Sequence, residues 1–180
     1  MSQMEDKIRV MLSEEELDRR IRELGAQISA DYEGESIFLV CILKGAAMFA
    51  CELAKRITVP VVMDFMATSS YGAGTVSTGE VKVKKDLDLS PEGKNVLIVE
   101  DIIDSGNTLN FLSHFFEERN AKSVRMATML DKPDRREVDV DVDYTGFTIP
   151  DEFVVGFGLD YDQRYRNLPY IGVVEPAEKQ

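Results

Sequence analysis

Two groups of polar residues stand close together in the middle of the chain, and their types and spacing could do chemistry. Glu100 and Asp101 form an acidic pair, and residues 104–108 follow with the sequence Asp-Ser-Gly-Asn-Thr. N–H groups at a helix N-terminus bind phosphate with help from the helix dipole, and Gly106 lets the backbone approach an anion closely. Two acids beside a phosphate would repel it unless hydroxyl groups or a cation lay between. The segment therefore suggests a ribose phosphate held with Mg²⁺.

Apolar residues on both sides of these groups predict a strand before them and a helix after them. Residues 96–99 are Val-Leu-Ile-Val, which predicts a strand buried on both faces and ending at Glu100. After the turn, apolar residues recur at helical spacing, namely Leu109, Leu112, Phe115 and Phe116. The polar groups would then lie between the end of a strand and the start of a helix.

The rest of the chain alternates between strand and helix patterns. Ser13 and Glu16 form a capping box for a helix that reaches about Ala30. Strands are predicted at 36–43, 61–69, 81–86 and 123–131, a helix at 46–55, and further β structure from Val138 to Ile149. This order predicts one α/β domain over residues 1–180, with an open, mostly parallel sheet flanked by helices and a small C-terminal β hood. Ligands of such sheets bind at the carboxyl edge.

Composition excludes several classes of partner. Acidic residues outnumber basic ones by 33 to 21, and the formal charge of −12 disfavours binding to nucleic acid. No signal-like N-terminus or membrane-length apolar run is present, so we expect a cytoplasmic protein with no membrane partner. Cys41 and Cys51 have no CxxC partner, and we expect both to be buried, reduced thiols. His114, the only histidine, is expected at the surface.

Several further positions keep both a structural and a functional interpretation. Lys44-Gly45, at a strand-to-helix junction, is either a ligand loop or a plain turn. Residues 70–80, rich in glycine and hydroxyl groups, form either a flexible active-site lid or a disordered hairpin tip. Lys132 is either a binding residue at a strand end or a solvated charge, and Phe153 is either a binding residue or part of the core.

The acidic pair and the turn after it resemble the phosphoribosyl diphosphate signature of the type I phosphoribosyltransferases. Leu43-Lys44-Gly45 resembles the pyrophosphate loop of that family, which has a non-proline cis peptide at the Lys position, and Ser70-Tyr71 resembles the start of its mobile catalytic loop. Residues 150–161, Pro-Asp-Glu-Phe-Val-Val-Gly-Phe-Gly-Leu-Asp-Tyr, followed by Arg166, resemble the C-terminal hood of the hypoxanthine-guanine branch. The resemblance covers about residues 43–166.

The resemblance implies purine salvage by transfer of a phosphoribosyl group from 5-phosphoribosyl 1-pyrophosphate to N9 of hypoxanthine or guanine. Asp104 becomes the candidate base. The implied phosphate and ribose residues are Glu100, Asp101, Ser105, Gly106, Asn107 and Thr108. The implied pyrophosphate residues are Lys44, Gly45 and Arg166, and the implied purine residues are Lys132, Phe153 and Val154. The implied Mg²⁺ ligands are Glu100, Asp101 and Asp160.

Two other functions remain open at this point. One is a xanthine-guanine transferase, and the other is a nucleotide-sensing regulator that keeps the phosphate site without catalysis. Asp104 argues against the regulator, because a sensor needs no carboxylate at the base position. Asn107 stands where some family members carry Lys, so the phosphate site has one positive charge fewer. The family resemblance also implies a homodimer or homotetramer.

Overall fold

A computed structural model describes residues 7–70 and 81–175. The strands are β1 (Lys7–Leu12), β2 (Ile37–Leu43), β3 (Val61–Ser70), β4 (Val81–Lys85), β5 (Asn95–Ile103), β6 (Ser123–Asp131), β7 (Tyr144–Thr148), β8 (Val154–Val155) and β9 (Ile171–Glu175). The helices are α1 (Glu14–Asp31), α2 (Ala47–Ala54), α3 (Asn107–Glu118) and a short 3-10 helix, Pro133–Arg135. The predicted lid begins at Ser70, the last residue of β3, and Tyr71 with the rest of that loop lies outside the described residues.

The main sheet has six strands in the order β4-β3-β2-β5-β6-β7. Every neighbouring pair is parallel except β3 and β4, which are antiparallel. The central strands β2 and β5 are buried along most of their length, as continuous apolar runs require. The predicted open, mostly parallel sheet flanked by helices is confirmed.

The helices cover the sheet with two hydrophobic clusters. The first packs α1 and α2 against one face and includes Leu24 and Phe49, both fully buried. The second packs α3 against the opposite face through Leu112 and Phe116. Burying a leucine or phenylalanine side chain contributes about 1.5–3 kcal/mol, so the apolar face of α3 holds the start of that helix against the sheet. That start lies next to the turn at 104–106.

Two boundaries differ from the sequence prediction. β5 continues beyond Glu100, because Ile102 and Ile103 still pair with β6. Residues 138–142 were expected to be β structure, but they form no strand, and β7 begins only at Tyr144. The reason lies in the hydrogen bonds at the start of this segment, where Val138 N donates to Ser105 O instead of to a neighbouring strand.

The hood is a separate antiparallel sheet of three strands in the order β1-β9-β8. The C-terminal part of this hood was predicted, but β1 was not. Lys7 pairs with Glu175 across the sheet, and their side chains form an ion pair of 3.3 Å. The hood therefore combines residues from both ends of the described chain, which no local pattern connects.

The local predictions for the first helix and the cysteines have different outcomes. The capping box is present, with Ser13 Oγ accepting from Glu16 N at 3.2 Å and Glu16 Oε2 accepting from Ser13 N at 2.8 Å. Cys41 is buried, and burial raises the pKa of its thiol to about 12. Cys51 is exposed, so that prediction was wrong, because α2 turns Phe49 and not Cys51 toward the core. No helix among residues 7–70 and 81–175 is long and apolar enough to cross a membrane.

Candidate active site

A cavity of about 450 Å³ opens at the carboxyl edge of the main sheet. Separate segments of the chain meet around it: the end of β2 with the loop after it, the end of β3, the end of β5 with the turn after it, and the loop that follows β8. Its lining includes Lys44, Gly45, Thr68, Glu100, Asp101, Asp104, Ser105, Gly106, Thr108, Asp160 and Arg166. The structure thus brings together nearly all the residues predicted to bind phosphate, pyrophosphate and metal.

Glu100 and Asp101 place two carboxyl groups at the bottom of this cavity. Glu100 is 8% exposed, and burial together with the neighbouring Asp101 raises the pKa of its carboxyl well above the usual range. Burial also raises the pKa of Asp101, whose Oδ1 accepts a hydrogen bond of 2.7 Å from Ile102 N. Two crowded carboxyl groups out of water favour a nearby cation.

The donor set around this pair fits Mg²⁺ better than a metal held by protein alone. Among the described residues, no group of three or more His, Cys, Asp or Glu side chains is arranged to hold a metal. Mg²⁺ is typically held by one or two carboxylates and by oxygens of the substrate, which the cavity leaves room for. Asp160 already has partners, since its carboxylate lies 3.1 Å from Arg166 Nη2 and accepts from Gln163 N at 2.8 Å.

The Lys44-Gly45 loop lies directly against the acidic pair. A cis peptide joins Leu43 to Lys44, as the family resemblance implied. A Cβ added to Gly45 would lie 1.6 Å from Asp101 Oδ2 and 2.6 Å from its Cγ, so any larger residue here would have to displace the Asp101 carboxylate. Gly45 therefore lets its backbone approach the Asp101 carboxylate closely, and the ligand-loop interpretation of Lys44-Gly45 stays a prediction.

Two cationic side chains of the cavity share a partner that the sequence did not reveal. Lys44 Nζ and Arg166 Nη2 both donate to Gln163 Oε1, each at 3.2 Å. Arg166 Nη1 also donates to Gly158 O at 2.7 Å. Gln163 follows the hood motif by two residues, but nothing in its type or spacing predicted this role. Thr68 also lines the cavity, and its only sequence signal was a hydroxyl near the end of a predicted strand.

The turn at 104–106 leads into α3 with a backbone suited to an anion. Gly106 has φ +87°, a conformation that glycine adopts easily, and no side chain caps the helix from this position. Asn107 N is hydrogen bonded to Ser105 Oγ at 3.3 Å. The amide of the Asn107 side chain donates to Glu137 Oε2 at 3.0 Å, and Asn107 does not line the cavity. An anion at the predicted phosphate site would therefore meet backbone N–H groups and the Ser105 and Thr108 residues, and not the Asn107 side chain.

Of the three predicted purine residues none lines this cavity, and Lys132 lies next to it through Asp104. Lys132 is buried, and its Nζ lies 3.9 Å from both Asp104 Oδ1 and Asp151 Oδ1. Phe153 is 53% exposed, and its ring packs edge-on against the Tyr161 ring with the two ring centroids 5.5 Å apart. The solvated-charge interpretation of Lys132 and the core interpretation of Phe153 are both wrong. Asp151 was not predicted as a site residue, although it belongs to the hood motif.

Val154 and His114 complete the set of predicted positions. The Val154 side chain is 6% exposed and belongs to the core, so only its backbone could contact a purine. His114 is exposed on α3, where its Nδ1 lies 2.8 Å from Asn110 O, as its predicted surface role requires.

Comparison with known proteins agrees with this geometry. The model of the phosphoribosyl transferase domain family matches residues 12–162. The hypoxanthine-guanine phosphoribosyltransferase of Bacillus subtilis is 53% identical over 169 residues, which are 94% of each chain. The chain belongs to the hypoxanthine-guanine phosphoribosyltransferase family.

Other family members resemble the chain over different shares of their length. The bifunctional protein TilS/HprT of Listeria innocua is 56% identical over 93% of this chain, and the chain spans 26% of that relative, about a quarter of its length. A crystal structure of a hypoxanthine-guanine phosphoribosyltransferase from Bacillus anthracis superimposes with a TM-score of 0.90 at 48% identity. It covers 95% of this chain and 100% of that one. The family is thus recognised in both sequence and fold.

Proposed function

We propose that this protein is a hypoxanthine-guanine phosphoribosyltransferase of purine salvage. It transfers the phosphoribosyl group of 5-phosphoribosyl 1-pyrophosphate to N9 of hypoxanthine or guanine, giving a nucleotide and pyrophosphate. The observation that carries the proposal is the meeting of three kinds of group at one sheet edge: the acidic pair, the turn at 104–106 and the Lys44-Gly45 loop. The printed names of the relatives, which are hypoxanthine-guanine transferases, support the choice of purine.

Proton removal from the purine is assigned to Asp104. As the bond from C1′ of the ribose to N9 forms and the bond to pyrophosphate breaks, the five-membered ring of the purine gives up its N–H proton, from a nitrogen other than the one being bonded, to the Asp104 carboxylate. The side chain is 52% exposed, which leaves a free carboxylate edge for the purine. Lys132, 3.9 Å away, offers an ammonium that donates to the 6-oxo group of the purine. Phe153 stacks on either purine without choosing between them.

Stabilisation of the negative charge on the departing pyrophosphate is assigned to Lys44, the Gly45 backbone and Arg166. Positive groups aimed at the position where negative charge develops lower the barrier of such a step. Glu100 and Asp101 would hold Mg²⁺ or the ribose hydroxyls, and Asp160 would support a second ion. When bound, Mg²⁺ supplies further neutralisation of the phosphate charges. The 5′-phosphate would lie on the backbone from Ser105 to Thr108.

A direct assay tests the proposal. The protein is mixed with 5-phosphoribosyl 1-pyrophosphate, Mg²⁺ and one purine at a time, and purine absorbance and pyrophosphate release are followed together. Nucleotide and pyrophosphate are expected in equal amounts with hypoxanthine and guanine, and negligible product with adenine. Binding of the donor without turnover of any purine would overturn the proposal in favour of a nucleotide sensor. Higher efficiency with xanthine than with hypoxanthine would favour a xanthine-guanine transferase.

The names of the relatives support neither of these alternatives. A homodimer or homotetramer and a cytoplasmic location stay predictions. Light scattering on the purified protein measures the first, and microscopy of a tagged chain measures the second.

A further inference from the structure

Residues 136–138, which we call the strap, cross behind the turn at 104–106. Arg136 Nε donates to the backbone carbonyl of Asp104 at 3.2 Å. The next two residues continue the contact, since Glu137 N and Val138 N donate to Ser105 O at 2.9 and 3.0 Å. The carbonyl groups of Asp104 and Ser105 are therefore both held on the side of the turn that faces the strap.

Holding these carbonyls fixes the direction of two N–H groups. In a trans peptide the C=O and the following N–H point in opposite directions, and among the described residues only the bond from Leu43 to Lys44 is cis. With the Asp104 carbonyl turned to Arg136, the N–H of Ser105 points the other way. With the Ser105 carbonyl turned to the strap, the N–H of Gly106 does the same. Both donors belong to residues that line the cavity.

The strap lies close against the turn and leaves no room for a side chain at Gly106. A Cβ added to Gly106 would lie 2.7 Å from Val138 O and 3.1 Å from Arg136 Cδ. The Arg136 guanidinium also pairs with the Asp131 carboxylate, and its side chain is 21% exposed. Asp131 ends β6 directly before Lys132, so one guanidinium joins the phosphate turn to the strand end that carries the predicted purine residue.

We propose that Arg136 is a positioning residue for the 5′-phosphate, an inference that rests on the function proposed above. Arg136 is not among the described residues that line the cavity. It acts by turning the N–H groups of Ser105 and Gly106 toward the ligand. A guanidinium has several donors in a rigid fork, which lets one side chain hold the Asp131 carboxylate and the Asp104 carbonyl together. The phosphate turn then keeps its shape before any ligand arrives.

A structural role for the ion pair alone makes a different prediction. If Arg136 only stabilised the fold through Asp131, its loss would weaken every ligand of the cavity equally or none of them. If Arg136 orients the N–H donors, its loss weakens ligands that carry the 5′-phosphate and spares those that lack it. The comparison of a nucleotide with its nucleoside therefore separates the two roles.

The test uses calorimetric titration of the whole chain with inosine 5′-monophosphate and with inosine. Arg136→Met is expected to raise the Kd of the nucleotide about tenfold and to change the Kd of inosine less than twofold, since the misplaced donors face only the phosphate. Arg136→Lys keeps the charge opposite Asp131 but replaces the fork with one ammonium. We expect it to recover the thermal stability of the parent and to keep the nucleotide Kd at least threefold raised.

Arg119→Met is the matched control. Arg119 lies at the C-terminal end of α3, away from the turn at 104–106, and pairs with Asp86. This variant should leave the Kd of both ligands within twofold of the parent. Parent-like nucleotide affinity in folded Arg136→Met and Arg136→Lys would overturn the proposal, and so would an equal loss for nucleotide and nucleoside. If the parent itself showed no preference for the nucleotide over inosine, the proposed function would fail, which is a separate outcome.

Discussion

The two halves of the site proposed above, which we call the phosphate side and the purine side, are built from different parts of the chain. The phosphate side comes from one continuous segment, residues 100–108, and offers mostly backbone N–H groups behind which the strap is packed. The purine side consists of single side chains from separate segments. Lys132 follows β6, and Asp151 and Phe153 both precede β8. Asp104 belongs to both, because its carbonyl faces Arg136 and its carboxylate faces Lys132.

This difference has a consequence for how each side tolerates mutation. A surface made of backbone groups is insensitive to the type of an outward side chain, but it is sensitive to anything that turns a peptide. A surface made of side chains depends on each one, since deleting a charged partner can leave a buried group such as Lys132 with fewer partners. Substitutions on the two sides should therefore differ in size and in the ligand that they affect.

The largest effect is expected where the two sides meet. Asp104→Asn keeps the shape of the side chain and its backbone contact with Arg136 but cannot accept the proton that the purine loses. Turnover should fall about 10²–10⁴-fold in a steady-state assay, while the Kd of 5-phosphoribosyl 1-pyrophosphate stays within a few-fold. Near-normal turnover would show that Asp104 is not the base.

The next effect concerns the purine side alone. Lys132→Met removes the ammonium and should lower kcat/KM for hypoxanthine about 10- to 150-fold, the range expected for a hydrogen bond to a charged group. The parent should discriminate against adenine by about 10⁴-fold, because the ammonium cannot accept from its amino group. The Kd of the phosphoribosyl donor is the internal control. An equal loss for hypoxanthine and adenine would mean that Lys132 does not select the 6-oxo group.

A smaller effect concerns stability on the phosphate side. Burial and Asp101 raise the pKa of Glu100 in the folded protein, so the folded state holds this proton more tightly than the unfolded chain does. Above the unfolded pKa of about 4.3, the ionised Glu100 therefore destabilises the fold, and this cost disappears as the pH falls. Glu100→Gln should raise the Tm of the unliganded protein at pH 7 by about 2–4 °C for each kcal/mol relieved.

Thermal scans at several pH values measure this gain, which should shrink toward pH 4.5, where the parent also becomes protonated. Glu92→Gln, at an exposed position, is the control and should leave the Tm unchanged within about 1 °C. A lower Tm for Glu100→Gln at pH 7, or a gain that grows on acidification, would contradict the prediction. If Glu100→Gln also loses Mg²⁺-dependent binding of 5-phosphoribosyl 1-pyrophosphate, the Glu100 carboxylate destabilises the fold but is needed to bind this ligand.

The smallest effect is expected for a side chain on the phosphate side. Asn107→Ala removes an amide that contacts Glu137 and leaves the helix backbone in place. The KM for 5-phosphoribosyl 1-pyrophosphate should change less than about twofold, because exposed polar contacts of this kind contribute little. A tenfold rise in that KM would show that the side chain, and not only the backbone, binds the phosphate.

The sequence predicted the elements around the turn at 104–106 almost completely because their signals are local. A buried strand, a turn with Gly106 and a helix start follow one another within a few residues, and hydrophobic periodicity fixes each element separately. The carboxyl edge of a parallel sheet then follows from the alternation of strands and helices, which brought Lys44-Gly45 and the acidic pair to one place. The end of β5 was placed too early because the acidic pair was taken as the end of the strand, although Ile102 and Ile103 after it favour a strand.

Only the tertiary structure decided which distant residues became partners. β1 joins the hood by pairing with β9, Gln163 bridges Lys44 and Arg166, and Arg136 reaches back to Asp104. Each of these contacts joins residues that no periodic pattern relates, and each depends on how the chain crosses the sheet. Val138 shows this limit. It begins a stretch that alternates as a strand does, but its N–H donates to the Ser105 carbonyl and not to a neighbouring strand. Local patterns determine the elements, and the competition of backbone groups for partners in the folded chain determines the contacts between them.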